Sequence, residues 1–181
     1  SPAMTARPAW TIRYRYEDGA RDCESVAVDV PRGRVLLLSK DAHTPALYEL
    51  PLSPADRAAV QTARRIGEIR TIPPPVGGLR RGILARIGSL TTAMDLTPDG
   101  RRLAVLTYEH AYLFERGTNE EWAAVLARPP ARLELPEVAP ATVRKREALC
   151  WGAGGRDLFV TGEQTPAPIL HVAPASDTRT P

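Results

Sequence analysis

The feature that most constrains this chain is a stretch that occurs three times. RDCESVAVDVPRGRVLLLSK from Arg21, SLTTAMDLTPDGRRLAVLTYE from Ser89 and RKREALCWGAGGRDLFVTGE from Arg144 share one order. Each has a polar residue, alternating apolar positions, a turn with Pro or Gly, and an apolar run ending on a small or polar residue. The three align on Val35, Leu103 and Leu158. Glu24 then matches Thr92 and Glu147, Val26 matches Met94 and Leu149, Val28 matches Leu96 and Trp151, and Ser39 matches Thr107 and Gly162. A repeated unit of this size cannot bury its apolar surface alone, so successive copies must stack on one another.

Each copy reads as a β-hairpin. SVAVDV and TAMDL have strand length and apolar character. VPRG, TPDG and GAGG supply turn chemistry, with Pro setting φ and Gly accepting φ > 0. RVLLLS, RLAVLTY and DLFVTG are nearly continuous apolar runs, expected where a strand is covered on both faces. Third strands are expected in PALYELPL (45–52), HAYLFER (110–116) and APILHVA (167–173). Fourth strands are expected in ARRIGEIRTI (63–72) and ARLELPEV (131–138). AWTIRYRY (9–16) sets Trp10, Ile12, Tyr14 and Tyr16 on one face and Thr11, Arg13 and Arg15 on the other, as a strand does.

The count is one strand, then four, four and three. Four-stranded antiparallel units in series are β-propeller blades, so the expected fold is all-β, with about three four-stranded blades forming half of a six-bladed ring. The expected boundaries are a tail over 1–8, a partial propeller over 9–173 and a polar tail over 174–181. Within the propeller, 9–16 is the outer closing strand, 22–72 the first blade, 90–138 the second and 145–173 three strands of the third. Propellers typically have four to eight blades, so three leave two blade faces open. Two partners are considered: a second copy of the chain, each Trp10–Tyr16 strand completing the other's third blade, or a missing N-terminal propeller half. The N-terminal SPAM, which reads as a cloning scar or an excised end, leaves a third possibility, an excised or engineered fragment.

The run WTIRYRYEDG…DCESVAVD…RVLLLSK, then SLTTAMDLTPDGRRLAVLTY…AYLFER, then REALCW…LFVTGE resembles the C-terminal half of a family of bacterial β-propellers of unassigned activity, similar to six-bladed TolB-like and phytase-like propellers. It covers nearly all of 10–172. The resemblance implies an N-terminal half with its own repeat, and a periplasmic or secreted setting.

Composition narrows the classes further. Hydrophobic content of 43% and charged content of 25% are those of a globular chain. No apolar run approaches a membrane span, and no secretory signal is visible. The net charge is +3, with Arg scattered among acidic residues, so nucleic acid is not an expected partner. Cys23 and Cys150 lack metal-ligand spacing and are expected as buried free thiols on inner strands.

Two segments lie outside the repeat. PPPVGGLRRGILARIGSL (73–90) is a long connection expected to cover a blade edge; it lacks the Gly-Lys-Ser/Thr ending of a phosphate loop. TNEEWAAVLARPP (118–130) reads as a short helix capped by Thr118 or Asn119, with Trp122, Val125 and Leu126 on its packing face.

No nucleophile elbow and no zinc-helix motif is present, and His43, His110 and His171 are dispersed, so no catalytic residue is assigned. The repeat supplies the one constellation. Strand starts crowd one mouth of a propeller, where Asp22, Glu24, Thr92, Asp95 and Glu147 are the expected ligand-binding residues. Converging carboxylates suit a cationic ligand or Ca²⁺, with Glu24 and Glu147 as the metal ligands; Ca²⁺ is the only cofactor considered. The competing reading pairs these carboxylates with neighbouring Arg or with backbone N–H groups. The preferred function is a non-enzymatic binding or assembly module. The alternative is a phytase- or esterase-like hydrolase with a channel-mouth carboxylate and Ca²⁺ site.

Overall fold

The computed structural model describes residues 6–41, 43–72, 88–136, 146–163 and 165–173. The repeats fold as the hairpins that their turns dictate. Cys23–Asp29 (β2) pairs with Arg34–Ser39 (β3), Thr91–Leu96 (β6) with Arg102–Thr107 (β7), and Arg146–Trp151 (β10) with Leu158–Gly162 (β11), all antiparallel. Each turn holds one left-handed glycine: Gly33 (φ 60°), Gly100 (φ 69°) and Gly155 (φ 62°). Side chains disfavour that backbone region.

Three sheets result. In the first, Ala46–Pro51 (β4) and Gln61–Glu68 (β5) follow β3, giving the order β5-β4-β3-β2 with Tyr14–Tyr16 (β1) added beyond β5. The second is β6-β7-β8-β9, completed by Ala111–Glu115 (β8) and Ala131–Leu133 (β9). Among the described residues, the third consists of β10, β11 and Leu170–Val172 (β12). Parts of the expected 73–90 and 131–138 segments lie outside the described residues.

The sheets stack through their innermost strands, β2 on β6 and β6 on β10. Blades 1 and 2 enclose one apolar cluster, with Ala27, Leu36 and Leu38 facing Met94, Leu96 and Val105. Blades 2 and 3 enclose another, with Ala93, Ala104 and Leu106 facing Leu149, Leu158 and Val160. The doubly covered central strands β3 and β7 match their apolar runs. In β11, Leu158 and Val160 are buried while Phe159 and Thr161 stay partly open, because only one face has a neighbouring blade.

Residues 9–16 differ from expectation. Only Tyr14–Tyr16 is strand, and it runs parallel to β5 of the first blade, Tyr14 opposite Gln61 and Tyr16 opposite Ala63. The unpaired backbone edge of β5 explains this placement. Gln61 N donates to Arg13 O at 2.8 Å, and Glu17 N to Ala63 O at 3.1 Å. The Tyr16 ring then packs edge-on against Tyr48 at 4.7 Å.

The expected helix is Trp122–Leu126 (α1), with Trp122, Val125 and Leu126 buried as its spacing requires. Its start is not the expected one. Neither Thr118 nor Asn119 is the N-cap; Glu121 is, without a side-chain bond, and the Glu120 carboxylate accepts Gly117 N at 3.0 Å. The helix lies on β5 at Gly67, where an added Cβ would sit 3.2 Å from Ala123 Cα. The thiols also depart from expectation: both are free, but Cys23 is half-buried and Cys150 exposed. Cys150 occupies the open face of the third blade, which explains its exposure.

Candidate functional site

Each innermost strand carries a β-bulge one step inside its start. The register slips between Cys23 and Ser25, between Thr91 and Ala93, and between Arg146 and Ala148. The extra residues are Glu24, Thr92 and Glu147, the three matched by the repeat. A bulge re-aims the side chain it carries and ends regular pairing, which is why bulges gather at sheet ends and near sites. The second strand of each hairpin returns to the same end, so Lys40, Tyr108 and Glu163 stand one residue beyond Ser39, Thr107 and Gly162.

These two rows form a polar cluster across all three blades. Lys40 Nζ donates to Glu24 Oε2 at 2.6 Å and to Tyr108 Oη at 3.0 Å, joining blades 1 and 2. Glu147 is held next to Glu163 within blade 3 and feels the charges of Glu24 and Lys40 across the mouth. Burial, the Glu163 hydrogen bond, and the Glu163 and Glu24 charges together push the Glu147 carboxyl up to about 7, with Lys40 opposing. Burial works against the charge on Lys40, but its bonds to Glu24 and Tyr108 hold its ammonium well above the usual lysine range. A carboxyl held beside a second carboxylate keeps its proton to higher pH, because the like charge disfavours ionisation.

The other expected residues are used differently. Asp22 is exposed, and its carbonyl accepts Lys40 N at 2.8 Å, which places its backbone at the cluster. Thr92 is buried; its hydroxyl donates to Arg146 O at 2.8 Å and ties the start of β6 to that of β10. Thr91 does the same one seam earlier, donating to Ser39 O at 3.1 Å. Asp95 is not brought to the mouth. It sits in the seam of blades 2 and 3, accepting Leu96 N at 2.8 Å and Trp151 N at 2.7 Å. The bulge at Thr92 and the strand alternation turn Asp95 toward the third blade. Among the described residues, no group of three or more His, Cys, Asp and Glu is arranged to hold a metal ion.

Sequence reasoning missed Lys40, Tyr108 and Glu163. The signal was present one position past the aligned Ser39, Thr107 and Gly162. His171 lies apart from the cluster: its Nε2 meets Asp157 Oδ1 at 3.1 Å and its ring stacks on Phe159 at 5.0 Å. His110 closes the turn that carries Tyr108, its carbonyl accepting Thr107 N at 2.8 Å. Burial pushes the His110 imidazole below the ordinary histidine value.

No protein-family model matches the sequence, and no curated protein matches it. Among solved structures, the chain is similar to the β-propeller domain of Myceliophteria thermophila Cps50 (Swd1), with a TM-score of 0.50 at 12% identity. That match covers 84% of this chain and 38% of that one. The Hsv2 propeller of Kluyvelomyces marxianus is similar at a TM-score of 0.42 and 14% identity, over 84% of this chain and 49% of that one. The chain thus spans well under two thirds of the structures it matches. With the three stacked sheets, the Cps50 (Swd1) similarity identifies the fold as all-β, built of β-propeller blades.

Proposed function

We propose that this chain is a non-enzymatic β-propeller binding and assembly module. Its mouth receives a cationic group, and its blades join further blades to close a ring of six. The observation that carries the reading is the cluster of Glu24, Lys40, Tyr108, Glu147 and Glu163, to which each of the three blades contributes from equivalent positions. An incoming ammonium or guanidinium would take the place of the proton that Glu147 holds near neutrality, a charge-assisted hydrogen bond replacing a neutral one. Lys40, already held by Glu24 and Tyr108, models such a contact within the chain.

Calorimetric titration with spermidine, run near pH 7 in two buffers of different ionisation enthalpy, tests this. Binding accompanied by proton release, lost on Glu147→Gln, is the expected result. Hydrolysis of a phosphate or carboxylic ester with added Ca²⁺, abolished by the same substitution, would replace the reading with the hydrolase alternative.

A further inference from the structure

The two ends of the stack carry complementary halves of the seam that the chain builds twice internally. At repeat-equivalent positions, the face toward the preceding blade is large. Met94 and Leu96 of blade 2 are 3% and 5% exposed against blade 1, and Leu149 and Trp151 of blade 3 pack against the cluster of blade 2. The face toward the following blade is small at its start. Ser25 and Ala27 are 0% and 3% exposed under blade 2, and Ala93 is 9% exposed under blade 3.

Both types of face are bare once. Val26 and Val28, the equivalents of Met94 and Leu96, are 52% and 40% exposed on blade 1. Ala148 and Cys150, the equivalents of Ser25 and Ala27, are exposed on blade 3. The outer part of the blade 1 face is already closed: Tyr16 lies on Tyr48, and Asp18 accepts the Tyr48 hydroxyl at 3.0 Å. What remains open is the innermost strand, the element through which both internal seams are made.

We infer that the Val26–Val28 strip of one copy docks on the Ala148–Cys150 strip of a second copy, and that a two-fold axis repeats the contact to close the ring. The inference rests on the ring-closing part of the proposed function and names its partner as a second chain. Large meets small at the new seam as at the two existing ones, so it continues an interface that the fold already uses. The docking uses blade faces and leaves β1 on β5, with no strand exchanged. A head-to-tail contact closes only when its rotation does, and otherwise grows without limit, which makes the mass diagnostic.

The test uses the whole chain with Cys23→Ser, leaving Cys150 as the native thiol. Addition of Val26→Cys is expected to give a disulfide-linked dimer on mild oxidation. Val60→Cys, at a residue 55% exposed away from the strip, is expected to give none. Sedimentation equilibrium should give twice the 19.7 kDa chain mass. Val26→Glu with Val28→Glu should raise the dimer Kd about 100-fold or more, because an unpaired carboxylate would be buried in each seam. Circular dichroism establishes that this variant is folded. A chain that is monomeric at high concentration, a mass that keeps growing with concentration, or cross-linking equal at Val60 would overturn the inference. A folded monomer that still binds spermidine would leave the mouth reading standing and remove only the second copy.

Discussion

Strand β2 carries an acidic residue near each end, Glu24 and Asp29, about 16 Å apart along the strand, and the two have opposite environments. Asp29 is wholly buried. Its Oδ2 accepts from Arg34 at 3.1 Å and from Arg116, on the next blade, at 3.2 Å. Arg116 is also buried, lies over the Trp122 ring at 4.6 Å and donates through Nε to Gly100 O at 2.6 Å. Burial pulls its guanidinium below the ordinary arginine value, partly offset by Asp29. Glu24 is bonded to Lys40 but keeps 40% of its side chain exposed. One end of the blade seam commits its charge to holding blades together; the other leaves charge where a ligand can reach it. The same hairpin therefore separates a structural end from the end at which we propose binding.

Substitutions at the buried end should have the larger effect. Asp29→Ala leaves the buried Arg116 without its carboxylate partner, while Arg34 keeps Glu49, and should cost about 3–5 kcal/mol, read by urea denaturation. Asp29→Ala combined with Arg116→Met removes the orphaned charge and should recover part of that loss; no recovery would mean that the pair is not the origin of the cost. The second seam lacks such an ion pair at its equivalent position, Thr97, and relies on Asp95 instead. Asp95→Ala leaves the Trp151 and Leu96 amides without an acceptor and should cost about 1–3 kcal/mol. Asp95→Asn, which keeps one acceptor oxygen, should cost less. An Asp95→Ala cost equal to that of Asp29→Ala would erase the distinction between the seams.

Much of this was legible because it is local and repeated. Hairpins, turn glycines and the bulge positions Glu24, Thr92 and Glu147 follow from aligning three stretches of the same chain. The helix Trp122–Leu126 follows from its apolar spacing. Three things were not legible, for physical reasons. The partner of β1 is set by which backbone edge is free, and nothing in Tyr14–Tyr16 itself says that the edge is β5. Asp95 was assigned to the mouth because sequence distance from Thr92 does not say which face it takes after a bulge. Cys150 reads as an inner-strand thiol, yet its burial depends on a covering element on that face, and among the described residues it is exposed. The same gap makes Val26 and Val28 look like core in the sequence and surface in the structure.

The smallest effect belongs to the exposed end, and its sign is fixed. The Glu147 carboxyl is raised from 4.5 to about 7 by burial and by Glu163. A group raised on folding contributes stability that is fully present below its unfolded value and lost as pH rises through the folded one. Wild-type stability should therefore decline from 4.5 to about 7 relative to Glu147→Gln, whose neutral amide stands for the protonated acid. Thermal melts of the two should converge near pH ~4 and separate above pH ~7, with the variant the more stable. Glu163→Gln should flatten the curve in part, since it removes a carboxylate that helps to raise Glu147. Glu24→Gln should do so only weakly, because Glu24 acts on Glu147 through charge and spends its own carboxylate on Lys40. Parallel curves for wild type and both Glu147→Gln and Glu163→Gln would show that the Glu147 carboxyl is not raised by its neighbours. The exposed end would then be an ordinary solvated rim, and the contrast with Asp29 one of burial alone.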